Sequence, residues 1–255
     1  MSRAIRVEWW KLRRSRVVAT ATGLMGLLLP LMGLGFYSVA LSGGTGPLAG
    51  KAGALLIGEG WEAYMGLVDQ IAAVAIFLGA GVVVTWVFGR EHADRTFPSL
   101  FALPVSRQRI AAAKVAVLAG WMIALSLLVT TVAVVVGLMA GIGPSPAEVV
   151  VPAALRLLMI AVLASVLSSP VAVVASIGRG YMPAFGFLIL VVAMAQVAVL
   201  FGTGAWFPFA VPGLMAVTGS EGAPVVGPAQ VALVPMVATA AVWLTLRWWR
   251  RAEVT

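Results

Sequence analysis

Long apolar runs dominate the chain, and charged residues fall between them. Six windows contain no Asp, Glu, Lys or Arg: 17–50, 70–89, 115–147, 157–178, 180–220 and 222–246. A helix needs about 20 apolar residues to cross the hydrocarbon core of a membrane, and each window is long enough. Because backbone groups in lipid must be hydrogen-bonded within their own segment, we predict that these runs are helical.

This pattern predicts an all-α polytopic membrane protein, with a single transmembrane domain over 1–255. The predicted six transmembrane helices are about 17–41, 69–88, 115–140, 151–176, 183–203 and 227–246. Residues 204–226 are too apolar for an ordinary loop, so we expect an outer re-entrant or interfacial segment of short helices broken by prolines. Pro30 and Pro170 lie inside the first and fourth spans, where proline kinks a helix.

The first sixteen residues are strongly basic and contain two tryptophans. If 1–16 is helical, Ile5, Trp9 and Leu12 lie at positions i, i+4 and i+7 and form an apolar stripe. Basic helices of this kind lie in the headgroup plane of a membrane, so we predict an amphipathic, interfacial N-terminal elbow helix. The same segment also serves as a simple topology anchor.

The distribution of basic residues predicts the orientation of the six spans. With both termini on the cytoplasmic side, fifteen of the 17 basic residues lie inside, and only Lys51 and Arg156 lie outside, as the positive-inside rule requires. Arg156 is expected to snorkel towards the outer surface; the alternative is a functional charge facing a cavity. Trp61 and Tyr64, in the connection before the second span, suit the outer membrane interface. The predicted location is the cell inner (plasma) membrane.

The composition excludes several functional classes. The chain is 62% hydrophobic and 10% charged, whereas soluble domains carry about 25% charged residues. Basic residues cluster at span ends, which argues against nucleic acid as a partner and favours contact with lipid. The sequence has no phosphate-binding loop, so we expect no nucleotide site and no cofactor bound by this chain. One histidine and no cysteine exclude the usual zinc sites. The sequence also offers no paired carboxylates and no nucleophile–base pair that would indicate an enzyme.

The charged island at 90–114, between the second and third spans, is the remaining candidate for function. Thr96 precedes Phe97 and a proline, as at a helix start, and Pro104 ends the short helix predicted at 98–103. This helix presents an apolar knob framed by charges, and the knob consists of Phe97, Leu100, Phe101 and Leu103. Such a knob suits a groove on a partner protein. From geometry alone, packing of the knob on the ends of its own spans is an equally good interpretation.

The pattern R-E-x-x-x-R-T-x-x-x-L-x-x-L-P-V-S-R-x-x-I-x-x-x-K in this island resembles the signature of ABC transporter permeases of the type-2 (drug, antibiotic and polysaccharide export) class. The matching positions are Glu91, Thr96, Leu100, Leu103, Pro104, Val105, Ser106, Arg107 and Lys114. The basic elbow helix, the six spans and the W-F-P-F-A-V-P element before the last span also agree. Arg95 departs from the pattern, in which glycine is common at that position.

The resemblance implies a permease that borrows its energy from a separate cytoplasmic ATPase subunit. ATP and Mg²⁺ would then belong to that partner, and a second permease copy or sibling would complete a homo- or heterodimer. Residues 89–114 would be the cytoplasmic coupling segment with its short coupling helix. The ATPase-docking residues implied are Glu91, Thr96, Phe97, Leu100, Phe101, Leu103, Pro104 and Arg107.

Two functional hypotheses follow from the sequence. The first is a permease subunit of an ABC exporter with a hydrophobic or amphipathic cargo. The second is a non-transport membrane scaffold or sensor that anchors a cytoplasmic partner. The uniformly apolar span faces mark no binding site for a particular cargo.

Overall fold

The computed structural model describes residues 2–44, 46–94, 96, 105–220, 222 and 224–252. Within these residues six helices are long and apolar enough to cross a membrane, and there is no strand. They span Arg16–Leu41, Gly60–Ala93, Arg107–Met139, Ala147–Ile177, Met182–Leu200 and Pro228–Arg251. The predicted all-α class with six spans is confirmed. The predicted knob residues Phe97, Leu100, Phe101 and Leu103 lie outside the described residues, as does Pro104.

The elbow helix α1 (Ser2–Arg13) precedes the first span and turns into it at Ser15. The Ser15 hydroxyl accepts a hydrogen bond from the Val18 backbone N–H at 3.3 Å, which caps α2 (Arg16–Gly23). A wide π-helical turn, Leu24–Leu28, then joins α2 to α3 (Leu29–Leu41), and Pro30 follows this turn directly. A π turn accommodates the backbone bond that proline cannot form, so the helix continues through Pro30.

The π turn also locks the first span against its neighbour. Met25 is buried and lies against Gly79 of α5 (Gly60–Ala93), so closely that a Cβ atom at position 79 would collide with the Met25 sulfur. A side chain at position 79 would therefore have to displace the end of Met25 or separate the two helices.

The second span begins earlier than its charge-free window indicates. After the short helix α4 (Pro47–Ala54), α5 starts at Gly60, so Trp61 and Tyr64 lie on a helix and are buried. Tyr64 donates its hydroxyl to the Ala133 carbonyl of α6 (Arg107–Met139) at 3.0 Å, and Gly137 makes room for the Trp61 ring. The two aromatics therefore pack between helices, and their predicted depth at the membrane interface stays a prediction.

The fourth span is a helix in two pieces, α7 (Ala147–Val166) and α8 (Pro170–Ile177). Proline at the first turn of α8 removes a backbone donor, and the preceding serines supply others. The Ser168 hydroxyl donates to the Ser165 carbonyl at 2.6 Å, and the Ser169 hydroxyl donates to the Val166 carbonyl at 2.7 Å. These bonds satisfy carbonyls at the break, as a low-dielectric environment demands.

The fifth and sixth spans are α9 (Met182–Leu200) and α11 (Pro228–Arg251). Between them the chain forms two short 3₁₀ turns, Gly204–Trp206 and Pro208–Ala210, and then α10 (Val211–Ala216). Most residues of α10 are buried against the neighbouring helices. This segment thus contains the short, proline-broken helices that were expected for 204–226.

The bundle has two ends with different chemistry. We call one the basic end: α1, the end of α5, the start of α6, the turn between α8 and α9, and the end of α11 meet there. The opposite end carries α4, the start of α5 and α10. The contacts that define the basic end are described next.

Candidate functional site: a buried charge cluster at the basic end

Lys114 is the centre of the basic end. It lies two turns into α6, the residue is 1% exposed, and all three ammonium donors are used. Its Nζ atom donates to Glu91 Oε1 at 2.7 Å, to Glu8 Oε2 at 3.1 Å and to the Val87 carbonyl at 3.2 Å. Three helices, α1, α5 and α6, are therefore joined at one side chain.

Lys11 completes a cluster with no net charge. Its Nζ atom donates to Glu8 Oε1 at 2.9 Å and forms an ion pair with Glu91 Oε1 at 3.8 Å. We call these four residues, Glu8, Lys11, Glu91 and Lys114, the charge cluster. Two carboxylates and two ammonium groups balance, so that burying them does not leave an unpaired charge, which costs several kcal/mol.

The electrostatics of Glu8 agree with this geometry. Burial alone would raise the pKa of Glu8, but the ammonium groups of Lys114 and Lys11 outweigh burial and hold the pKa below its ordinary value. Glu8 is therefore ionised, and its two oxygens bind two different lysines.

Glu8 was missed by the sequence analysis, which predicted an apolar stripe of Ile5, Trp9 and Leu12 on an interfacial helix. The structure places Leu12 in the core and Ile5 partly against it, whereas Trp9 is 46% exposed. The third member of the buried face is Glu8, one turn from both Ile5 and Leu12. A recognisable signal existed: Glu8 is the sole acid within the first sixteen residues of a strongly basic segment.

Glu91, Thr96 and Arg107 are the predicted docking residues that the structure describes, and it connects each of them to the ends of neighbouring helices. Glu91 belongs to the charge cluster rather than to an exposed frame, since it is buried. Thr96 bonds back to α5: its N–H donates to the Glu91 carbonyl at 2.9 Å and its hydroxyl donates to the same oxygen at 3.3 Å. Arg107, the first residue of α6, donates from Nη1 to the Ala252 carbonyl after α11.

Charged side chains also meet between α5 and α7, nearer the opposite end. Arg156 donates from Nε to Asp69 Oδ2 at 2.7 Å. Asp69 is fully buried nine residues inside α5, and the Arg156 side chain is 28% exposed. Arg156 therefore pairs with a buried carboxylate instead of snorkelling alone, and the expected position of Asp69 at a span edge was wrong because α5 begins at Gly60.

Two cavities lie between the spans. One, of about 270 Å³, is lined mainly by apolar residues of α5, α9 and α10, together with Gln70 and Gln196. The other, of about 370 Å³, lies between α5, α6, α7 and α11, and its lining is apolar apart from Ser and Thr hydroxyls. Ser165, Ser169, Thr239 and Thr245 each donate that hydroxyl to a carbonyl of their own helix region. Both cavities therefore favour an apolar ligand over a charged one.

Six long apolar helices, with a charge-balanced junction where three helices meet, define a multi-pass membrane protein. The chain belongs to the ABC-2 family of transporter proteins, since the model of that family matches residues 4–196. It is thus the membrane-spanning permease subunit of an ABC transporter, a class that works with an ABC ATPase in a membrane. A comparison with curated proteins found no match.

Proposed function

We propose that this permease couples ATP hydrolysis by a separate ATPase subunit to the export of a hydrophobic or amphipathic compound. The basic end faces the cytoplasm, both termini lie there, and residues 89–114 form the ATPase-docking segment. The chain itself binds neither ATP nor Mg²⁺, which belong to the partner. The observation that carries the proposal is the charge cluster, because it connects this segment to the rest of the bundle.

The cluster holds both ends of the 89–114 segment. Glu91 lies at its beginning and Lys114 at its end, and their 2.7 Å ion pair joins the end of α5 to the first part of α6. Glu8 adds the elbow helix to the same junction. A force applied to the segment is therefore delivered to three helices together.

This arrangement suits a subunit that receives its energy from outside. A conformational equilibrium shifts only when a partner has different contact free energies in the two states. An ATPase pair that opens and closes supplies such a difference through the docking segment, and the cluster passes the displacement to the second and third spans. Phe97, Leu100, Phe101 and Leu103 are the residues proposed to enter the ATPase groove.

The walls of the two cavities support the proposed class of cargo. Their linings are apolar, with glutamines or hydroxyls at the margins. A largely apolar compound with few polar groups suits such walls. An ionised compound would have no partner there for its charge.

A second permease copy or sibling is part of the proposal. The fifth span, α9, buries only Ala184, Leu188 and Val191 among its 19 residues, all of which the structure describes. A large apolar face of this helix is therefore available to a second subunit or to lipid.

The test is purification of the tagged permease from its own membranes in mild detergent. We expect an ABC ATPase to copurify at a fixed stoichiometry, and the reconstituted pair to hydrolyse ATP faster than either protein alone. A permease that retains a cytoplasmic partner without any nucleotide-binding subunit would contradict the proposal and favour a scaffold or sensor.

A further inference from the structure

The end of α11 forms a compact aromatic turn at the basic end. We call residues 248–252 the C-terminal turn. Trp249 is fully buried: its ring meets Phe88 edge-on at 6.0 Å between centroids, and its Nε1 donates to the Ser176 hydroxyl at 3.0 Å. Two helices, α5 and α8, thus fix the position of this turn.

The same turn contacts the 89–114 segment at both of its ends. At the beginning, the Trp248 ring packs against His92 with 6.1 Å between ring centroids. At the far side, the Ala252 carbonyl accepts the hydrogen bond from Arg107 Nη1. The C-terminal turn therefore spans the gap between the end of α5 and the start of α6.

We propose that the C-terminal turn is a brace that positions the 89–114 segment for the ATPase subunit, and that Trp248 is its positioning residue. This inference rests on the proposed function, but it assigns a role to a part of the chain that the docking residues do not include. The charge cluster braces the segment through α1, and the C-terminal turn braces it through α11.

The physical reason is preorganisation. A docking segment that is free to move must be ordered when the partner binds, and that ordering reduces affinity. Contacts from two different elements fix the directions of α5 and α6 at the two ends of the segment. The brace thus lowers the ordering cost without touching the ATPase itself.

The test compares three variants in the purified permease–ATPase complex. Trp248→Ala removes the ring, and Trp248→Phe keeps an aromatic contact with His92. The matched control is Trp243→Ala, on the same helix, because that ring is 56% exposed and stacks on Arg247 at 5.2 Å. The measurements are the dissociation constant between permease and ATPase, the ATP hydrolysis rate of the pair, and thermal unfolding of the permease alone.

We expect Trp248→Ala to weaken the complex roughly five-fold, the range of one aromatic contact, and to lower stimulated ATP hydrolysis. Trp248→Phe and Trp243→Ala should bind as the wild type does. Should Trp248→Ala not yield folded protein, Trp248→Leu provides the same comparison, because it removes the ring but retains more apolar volume than alanine. Unchanged affinity in the folded variant, or equal loss in the Trp243 control, would overturn the brace.

A double-variant cycle separates bracing from direct contact. Arg107→Gln removes the hydrogen bond to the Ala252 carbonyl, and if Arg107 acts through the C-terminal turn, its effect and that of Trp248→Ala are less than additive. Full additivity would show that Arg107 touches the ATPase independently and would contradict a common brace. If the wild-type permease binds no ATPase, the proposed function fails; if it binds and the Trp248 variants bind equally, only the brace fails.

Discussion

Two sets of buried charges hold this bundle together, and they differ in how many elements they join. At the basic end, two carboxylates and two lysines connect α1, α5 and α6 in a cluster of several bonds. Between α5 and α7, a single bond joins Arg156 to Asp69. In each set one carboxylate oxygen, Glu91 Oε2 or Asp69 Oδ1, has no hydrogen-bond partner among the described residues. The first is a junction and the second is a link.

Under the proposed function, the charge cluster is the place that transmits displacement, and the Arg156–Asp69 pair only holds two helices together. A junction of three helices moves them as a group, because loss of one contact leaves the others. A link between two helices fixes their spacing, but it does not pass a displacement on to a third helix. Variants at the two places should therefore separate stability from coupling to the ATPase.

The largest effect is expected for Lys114→Met, which leaves the buried Glu8 and Glu91 with the partly exposed Lys11 as the one remaining cation of the charge cluster. Breaking a buried ion pair on one side costs about 3–5 kcal/mol, so this variant should lose most of its stability and its ATPase coupling. Chemical unfolding in detergent measures the loss. The control is Lys11→Met, whose side chain is 32% exposed and should cost less than about 1 kcal/mol. Equal losses in both variants would contradict the central role of Lys114.

Phe101→Asp should act on docking alone. A charge in place of an apolar anchor costs about 2 kcal/mol or more of binding, or roughly thirty-fold in the dissociation constant. The unfolding temperature of the isolated permease should not change. A variant that still transports and hydrolyses ATP at the native rate with its partner would exclude the knob as the docking element.

Asp69→Asn should lower stability and leave coupling intact. The expected loss is about 1–2 kcal/mol, since a neutral amide still accepts a hydrogen bond from Arg156. ATP hydrolysis per folded complex should match the wild type, in contrast to Lys114→Met. Arg156→Gln is the matched variant, and the double variant should lose less than the two single losses together. If Asp69→Asn lowered ATP hydrolysis per folded complex without lowering stability, the distinction between junction and link would be wrong.

The smallest effect is a dependence on pH at the elbow. Because the pKa of Glu8 is lowered in the fold, its ionised form stabilises the protein above the ordinary glutamate value of about 4.3. That contribution disappears as the pH falls through the lowered pKa. Thermal unfolding should show that the difference between wild type and Glu8→Gln is constant from pH 6 to 8 and shrinks in acid. A difference that persists at low pH would exclude ionised Glu8 as its source.

The apolar runs predicted the six spans because the backbone requirement in lipid leaves little choice for segments of that length. Helix ends were harder to predict, because a helix can continue through polar residues when side chains of a neighbouring helix pair with them. Asp69 lies just before the charge-free window 70–89, yet α5 begins nine residues earlier, at Gly60. Arg156 from α7 pairs with the buried carboxylate within that helix.

The residues of the charge cluster were predicted in part. Glu91 and Lys114 belonged to the recognised signature. Their ion pair, however, depends on how α5 and α6 pack against each other, and the spacing of residues along the sequence does not predict that packing. Glu8 and Trp9 show the same limit: both lie on α1, and only the position of Lys114 decides which of them faces inward. Trp61 was assigned to the interface because tryptophan is common there, and its packing against Gly137 was not predicted.

The meeting of Met25 with Gly79 bears on the spacing of the first two spans. The sulfur occupies a notch that exists at one height of α5 only, and the residues above and below Gly79 carry side chains. The atoms of Met25 that approach Gly79 belong to the end of a flexible side chain. A larger residue at position 79 would therefore displace Met25 first, and the spacing of the first two spans at this height depends on how Met25 repacks.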